Sequence, residues 1–378
     1  MKVAVVLGTR PEFIKMFPVL DALDGEFETF LIHTGQHYSY HMDGAFFREL
    51  KLPYPRYHLG VGSSPPGRQT GKMLIEIERV LIREEPDLVL VEGDTNTVLV
   101  GALAAAKLKI EVGHVEAGLR CFNPHMPEEM NRRLTDHLSR LLFAPTKRAW
   151  ENLMNEGIEE YRIHVTGNTI VDAVQLFSER APASMPPECS ASEIKEFMLL
   201  TLHRQENVEN RERLSCIFSG LELIHSYFQL PIVFPIHPRT EKMLKVFGLS
   251  PPEGSVTIHP LGFSEFLQLE KNARLVLTDS GGVQEESCIL GTPCVTLRDD
   301  TERPETVEIG ANLLAGTQPR AILAAAKLMA GKDNDWHQPF GDGQAGRRII
   351  EVLKRYVSER GAAKTPHAVH RNLWMAVR

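Results

Sequence analysis

Short, unbroken apolar runs alternate with stretches of helical period along nearly the whole chain, and this alternation restricts the fold more than any other feature. Lys2–Leu7, Thr29–His33, Leu88–Val91, Val112–Val115 and Leu141–Phe143 read as strands. Between them, Ile14, Met16, Val19, Leu20 and Leu23 line one helix, and Met73–Ile82 and Thr97–Leu108 read as two more. Strands that are apolar on both faces and separated by helices belong in a parallel sheet covered on both sides. The pattern restarts after a helical stretch at Ile170–Phe177, with strands at Phe197–Leu202, Ile232–Ile236, Val256–Ile258, Leu275–Thr278 and Cys294–Leu297. Ala181–Ser192, rich in Pro, Ser and Ala and without periodicity, reads as the linker. The prediction is an α/β protein of two Rossmann-like domains facing a central cleft. The N-terminal domain takes 1–169 and the C-terminal domain 170–346. Residues 347–378 carry a last amphipathic helix, Arg347–Val357, that packs back on the N-terminal domain.

A chain of 378 residues is long enough for two such cores. Its 42 Lys and Arg against 49 Asp and Glu leave a net charge of −7, which argues against a general nucleic-acid or membrane-surface binder. A local basic pocket could still hold an anion. Five scattered cysteines, Cys121, Cys189, Cys216, Cys288 and Cys294, include no C-x-x-C pair, so neither a disulfide framework nor a thiolate metal site is indicated. The apolar run in MKVAVVLGTRPE is too short for a signal peptide, and no later run approaches a membrane span. The expectation is a reduced, cytoplasmic enzyme.

Ligands of open parallel sheets bind beyond the carboxyl ends of the strands, and there the polar residues gather. Gly8-Thr9-Arg10-Pro11-Glu12 follows the first strand, with Lys15 one turn on. Glu92-Gly93-Asp94-Thr95 and Glu116-Ala117-Gly118 follow two others. In the second half come His203-Arg204-Gln205-Glu206-Asn207, His237-Pro238-Arg239, Asp279-Ser280-Gly281-Gly282 and Arg298 to Glu305. Clusters recurring in both halves predict two polar rims across one cleft.

Ser280-Gly281-Gly282 suits an anion: glycines admit close backbone approach, and a helix start offers free N–H groups and a favourable dipole. Arg10, Lys15 and Arg303 supply further positive charge, so a diphosphate is the natural ligand. A tight strand–helix turn that simply requires glycine is the competing reading. Gly60-Val61-Gly62 opens like a dinucleotide fingerprint but runs into Ser63-Ser64-Pro65 instead of a helix, and there is no P-loop lysine. Asp94, Glu116 and Glu128 are acid/base candidates, because carboxylates in unlike environments can divide those roles. Glu128 and Glu129 could equally serve the start of the helix carrying Asn131-Arg132-Arg133. His33, His37 and His41 are spaced by four, but Gly35 breaks the helix that would make them metal ligands. Beside Asp299, Asp300 and Glu302, the neighbours Arg298, Arg303 and Pro304 favour an anion-binding loop over a cation site. His203 and His237, both following strands, are read as site residues.

Together these motifs resemble the non-hydrolysing UDP-N-acetylglucosamine 2-epimerases. The matching segments are GTRPEFIK at 8–15, EGDTNTV at 92–98, GHVEAGLR at 113–120, MPEEMNR at 126–132, HRQEN at 203–207, TDSGGVQEES at 278–287, TERPET at 301–306 and PFGDGQAGRRI at 339–349. TGQHYSYHMD at 34–43 and QTGKML at 69–74 are similar to the archaeal-type branch. The resemblance implies a glycosyltransferase-B-like fold and interconversion of UDP-GlcNAc and UDP-ManNAc, by elimination of UDP to 2-acetamidoglucal and its return. No nicotinamide or other cofactor and no metal is implied. The partners implied are a UDP-sugar and a second copy of the chain, with no nucleic acid or membrane.

By the same resemblance, Asp94, Glu116, Glu128 and His203 are the catalytic candidates. Arg10, Lys15 and Arg303 would line the substrate site, and Ser280, Gly281 and Gly282 would hold phosphate. Glu286 would meet the ribose hydroxyls, and Leu261 with Phe266 the uracil. Gln36, Arg68, Gln69, Arg204 and His237 match positions of an effector site. Ser39 departs from the second Gln that effector-dependent members carry, so saturation kinetics must decide activation by a second UDP-GlcNAc. The rival readings are an epimerase of UDP-2,3-diacetamido-glucuronic acid and, from another class, a catalytically silent nucleotide-sugar-binding regulator.

Overall fold

The structure is a computed structural model that describes residues 1–35, 54–180 and 196–363. Its first half is a seven-stranded sheet of β1 (Lys2–Leu7), β2 (Glu28–His33), β3 (Tyr57–His58), β4 (Leu88–Glu92), β5 (Glu111–Val115), β6 (Leu141–Ala144) and β7 (Ile163–Val165). They lie in the order β3-β2-β1-β4-β5-β6-β7, every pair parallel. The second half holds β8 (Met198–Thr201), β9 (Ile232–Pro235), β10 (Ser255–Ile258), β11 (Leu275–Thr278), β12 (Cys294–Thr296) and β13 (Asn312–Leu314). Their order is β10-β9-β8-β11-β12-β13, again all parallel. Both are doubly wound open sheets, as the alternation predicts. The linker expected at Ala181–Ser192 lies outside the described residues.

Helices cover both faces. In the first half these are α1 (Arg10–Leu23), α2 (Pro66–Glu84), α3 (Asn96–Lys107), α4 (Pro127–Leu138) and α5 (Lys147–Asn155). Next come α6 (Thr169–Arg180), α7 (Gln205–Val208), α8 (Arg211–Phe228), α9 (Pro238–Phe247), α10 (Phe263–Asn272), α11 (Gly281–Leu290), α12 (Pro304–Glu308), α13 (Pro319–Met329) and α14 (Ala345–Ala363). The expected strands and most helices are present within a few residues. The strands missing from the reading are β3, β7 and β13, of two or three residues each, too short to display a period. Helix α4 buries Glu129, Asn131, Arg132, Thr135 and Asp136, so its inner face is polar and gives no hydrophobic stripe.

One apolar cluster joins the halves: Leu20, Leu23, Val174 and Phe177 pack with Phe263 and Leu267 and with Ile349, Ile350 and Leu353. Phe177 meets Phe263 edge-on at 5.5 Å between ring centroids. Helix α14 therefore returns to α1, and Gly346 is what permits the approach, since a Cβ there would stand 2.7 Å from the Pro18 carbonyl oxygen. Asp172 of α6 accepts hydrogen bonds from the first amides of α14, Ala345 N at 3.2 Å and Gly346 N at 3.0 Å. Among the described residues no helix is long and apolar enough to cross a membrane.

Candidate active site

Strand order sets where the site can be. In the first sheet the connections reverse direction between β1 and β4, and in the second between β8 and β11, so a crevice opens beyond the carboxyl ends of each pair. Thr278 stands opposite Thr201, so the loops carrying Asp279 and His203 leave their strands level with each other. In the first sheet Glu92 pairs with Val115, which brings the Asp94 and Glu116 turns side by side.

Glu116 is the buried centre of the first half. It has a positive φ of 68°, a left-handed conformation that costs a non-glycine residue energy and often accompanies functional sites. Its carboxylate hydrogen-bonds the Lys15 ammonium from α1. It also accepts from Arg303 Nη2 of the other half at 2.9 Å. Arg303 Nε lies 2.6 Å from Glu285, and Lys15 Nζ lies 3.2 Å from the same carboxyl. Asn168 donates to Glu285 at 2.7 Å. Two carboxyls from one sheet's side and the other's thus share two cations, all four side chains less than a tenth exposed. Burial by itself would raise the Glu116 carboxyl, but Lys15 and Arg303 outweigh it and hold it at about 2. Burial raises Glu285, against the pull of Arg303 and Lys15. Glu92, 4.0 Å from Lys15, is pushed well above the carboxylate range by burial and by the neighbouring Glu116 charge.

Asp94 is partly open to the cleft, 27% exposed, and is gripped by Arg132 through Nη2 at 2.7 Å and Nε at 3.0 Å. Asn131 donates to its carbonyl at 2.9 Å. Glu12 braces the turns beneath, accepting from Gly8 N at 2.6 Å, Thr9 Oγ1 at 2.9 Å and Thr95 Oγ1 at 2.6 Å. Burial outweighs those bonds and lifts the Glu12 carboxyl to about 7. Glu128, half-buried in the first turn of α4, lies 3.6 Å from Arg204 Nη1 across the cleft. Its neighbour Glu129 is fully engaged, bound to Arg132 at 2.8 Å and to the amides of Cys121 and Phe122. The alternatives left open by sequence therefore separate: Glu129 is structural and Glu128 faces the other half.

On the second half, Ser280 caps α11, and Gly281 and Gly282 form its first turn. A Cβ at 281 would stand 2.2 Å from Glu302 Oε1, so a side chain there would have to displace that carboxylate. Glu302 is pinned by Arg298 at 2.9 Å and approached by Arg204 at 3.3 Å. His203 and Arg204 donate their backbone amides to Asp279 at 3.1 and 2.9 Å, and the His203 Nδ1 lies 3.3 Å from that carboxylate. Burial pushes the His203 imidazole down, Asp279 opposing and Arg204 and Arg239 reinforcing. Glu286 lies beside Gly282 with Oε1 3.4 Å from where a Cβ would be, and burial lifts it to about 7. Leu261 and Phe266 lie half-buried on an apolar cluster with Val256 and Ile258. Arg10 opens α1, half-buried at the same rim as Lys15.

Four of the five effector positions lie within the described residues. Gln36 is outside the described residues, as are His37 and His41. Arg68 is exposed near the start of α2. Gln69 is buried, donating to Gly62 O at 2.9 Å and accepting from Asn96 at 3.2 Å, which braces the Gly60–Gly62 turn. His237 caps α9, its Nδ1 accepting from Arg239 N at 3.1 Å, and its ring lies 5.4 Å from that of His203. Arg204 bridges Glu128 and Glu302 as described.

Sequence reasoning did not single out Asn168, Glu285, Arg132, Asp279 or Glu12 for these contacts. Four of them lie inside the quoted segments or directly after a strand. Asn168 gave no signal because it follows β7, itself too short to read.

Two doubly wound parallel α/β sheets with buried carboxylates and cations at their join form a glycosyltransferase-B-like architecture. The family model described as UDP-N-acetylglucosamine 2-epimerase matches residues 21–354. A UDP-N-acetylglucosamine 2-epimerase of Methanocaldococcus jannaschii is 54% identical over 361 residues, covering 93% of this chain and 99% of that one. A UDP-2,3-diacetamido-2,3-dideoxy-D-glucuronate 2-epimerase of Pseudomonas aeruginosa is 43% identical over 360 residues, covering 94% of this chain and all of that one. The crystal structure of the M. jannaschii enzyme in complex with UDP-GlcNAc and UDP superposes with a TM-score of 0.90 at 53% identity, covering 94% and 100% of the two chains. The chain belongs to the UDP-N-acetylglucosamine 2-epimerase family.

Proposed function

We propose that the protein interconverts UDP-GlcNAc and UDP-ManNAc at C2, and that it does so at the join of its two sheets. The observation that carries this is Glu116, ionised and buried between Lys15 and Arg303, with Asp94 and Glu128 supplied from neighbouring turns and the α11 glycines opposite. The greater identity to the UDP-GlcNAc enzyme, 54% against 43%, favours that substrate over the diacetamido-uronic acid.

In the proposed chemistry a carboxylate takes H2, the C2–H electrons form the C1=C2 bond, and UDP leaves with the C1–O pair to give 2-acetamidoglucal. UDP then re-adds to C1 as a proton reaches C2 on the opposite face. Loss of the diphosphate makes C1 oxocarbenium-like and so acidifies H2, and N–H donors at Ser280, Gly281 and Gly282 stabilise the departing charge. Glu286 is assigned to the ribose, Leu261 and Phe266 to the uracil, and Arg10 and His203 to the diphosphate. A Glu116 held at about 2 is a weak base. An arriving diphosphate competes for Lys15 and Arg303, and any loosening of those pairs raises Glu116 toward useful basicity. We also assign the domains as 1–169, 170–346 and the returning 347–378, a homodimeric assembly and a cytoplasmic location.

Proton NMR of the protein with UDP-GlcNAc in deuterium oxide tests the reading. UDP-ManNAc with deuterium at C2 and no free ManNAc is expected. Turnover of the diacetamido-uronic acid alone would transfer the assignment to that substrate, and UDP binding without turnover of either would make the protein a regulator.

A further inference from the structure

Glu128, Arg132 and Asp136 follow one another at four-residue steps and so occupy one face of α4. The first faces Arg204, the second grips Asp94, and the third, wholly buried, makes contacts that the proposed chemistry does not use. Asp136 Oδ1 lies 2.7 Å from His114 Nδ1, and its Oδ2 accepts from Gly118 N at 3.2 Å and from Arg120 Nη2 at 2.7 Å. Arg120 continues to Glu156 at 2.7 and 2.9 Å. His114, on β5 and without exposed surface, presents Nε2 to the Gly93 carbonyl at 2.8 Å. The imidazole thus spans from the Asp136 carboxylate to the Gly93 carbonyl. Burial alone would raise Asp136, but His114 and Arg120 outweigh it and hold it below its ordinary value.

The connectivity is specific. Through His114, Asp136 fixes the Gly93 peptide, which leads directly into Asp94. Through Gly118 N, it fixes the turn in which Glu116 adopts its positive φ. Glu116 Oε2 itself lies 3.7 Å from the Cβ position at Gly93, so the two turns abut. We infer that His114 and Asp136 form a positioning couple that sets the Asp94 and Glu116 turns relative to each other, so that both carboxylates address one sugar carbon. This rests on the assignment of those carboxylates in the proposed function. Displacements of about 1 Å in a reacting geometry can cost about 100-fold in rate, which is what such a couple would prevent.

Two substitutions separate the two hydrogen bonds. The amide nitrogen of His114→Asn falls near Nδ1 and can still serve Asp136, while that of His114→Gln falls near Nε2 and can still serve Gly93. Wild type and both variants are compared by kcat for deuterium-labelled UDP-ManNAc formation and by Kd for UDP. The expected result is unchanged UDP affinity with kcat lowered roughly 10- to 100-fold in both variants, because each keeps one bond of the couple and breaks the other. Wild-type kcat in either variant overturns the inference. Joint loss of UDP affinity and turnover makes His114 a residue of the fold alone and also overturns it. A wild-type protein inactive on UDP-GlcNAc refutes the underlying reading instead, and is recognised before any variant is made.

Discussion

Replacing Lys15 by Met removes one charge from the junction cluster while keeping a stem of similar length, so the loss is electrostatic rather than one of packing. Lys15 Nζ bonds Glu116, sits 3.2 Å from Glu285 and 4.0 Å from Glu92. At an effective dielectric of about 20, unit charges at that first separation attract by about 5 kcal/mol before desolvation is subtracted. Breaking a buried pair by deleting one partner leaves the other charge uncompensated and costs about 3–5 kcal/mol. After the change, Glu116 and Glu285 share Arg303 alone. Glu285, already raised by burial, is raised further and holds a proton that the unfolded chain releases near the ordinary carboxylate value. The native state then binds more protons than the unfolded state above that value, so the variant's stability falls as pH rises from 5 to 8, more steeply than the wild type's. Urea unfolding of Lys15→Met, Glu285→Gln, the double variant and wild type measures the cycle, read from midpoints at unchanged slope. The double variant restores neutrality and should be more stable than Lys15→Met. A single-variant cost below about 1 kcal/mol, or a further loss on adding Glu285→Gln, would refute the argument that these ions compensate one another.

Asp94→Asn should bind UDP normally and lose epimerisation by at least about 100-fold, since a carboxamide cannot accept the C2 proton; wild-type turnover would remove Asp94 from the chemistry. Gly281→Ala drives a Cβ to within 2.2 Å of Glu302, so we expect a stability loss of about 1–3 kcal/mol with weakened UDP binding, and an unaltered UDP titration would contradict the assigned anion site. Glu12 and Glu286 are both lifted by burial to about 7, so the native protein binds protons that the unfolded chain has released. Their stabilisation is complete below the unfolded value and is lost as pH rises through about 7, by up to a few kcal/mol between pH 5 and 8. Denaturation midpoints across that range should fall in wild type and fall less in Glu286→Gln.

Periodicity is a local property, and it sufficed for the long strands β1 and β2 and for α1, whose apolar residues recur within one or two turns. The same locality put Gly8-Thr9-Arg10, Asp94, Glu116 and Ser280-Gly281-Gly282 at strand ends, because in a parallel sheet every strand ends on the same rim. Which charges meet was not legible. Glu116 pairs with Arg303 across 187 residues of chain, and Glu285 with Asn168 across 117. The strand-end positions of Lys15 and Arg303 mark them as cleft cations but do not say which carboxylate each will meet. Helix α4 shows the same limit on a smaller scale: Glu128 and Glu129 are adjacent and chemically alike, yet one faces Arg204 and the other closes on Arg132 and two backbone amides. The helix turns about 100° between them, and only the packing of α4 against β5 and the opposite half determines which direction is the cleft.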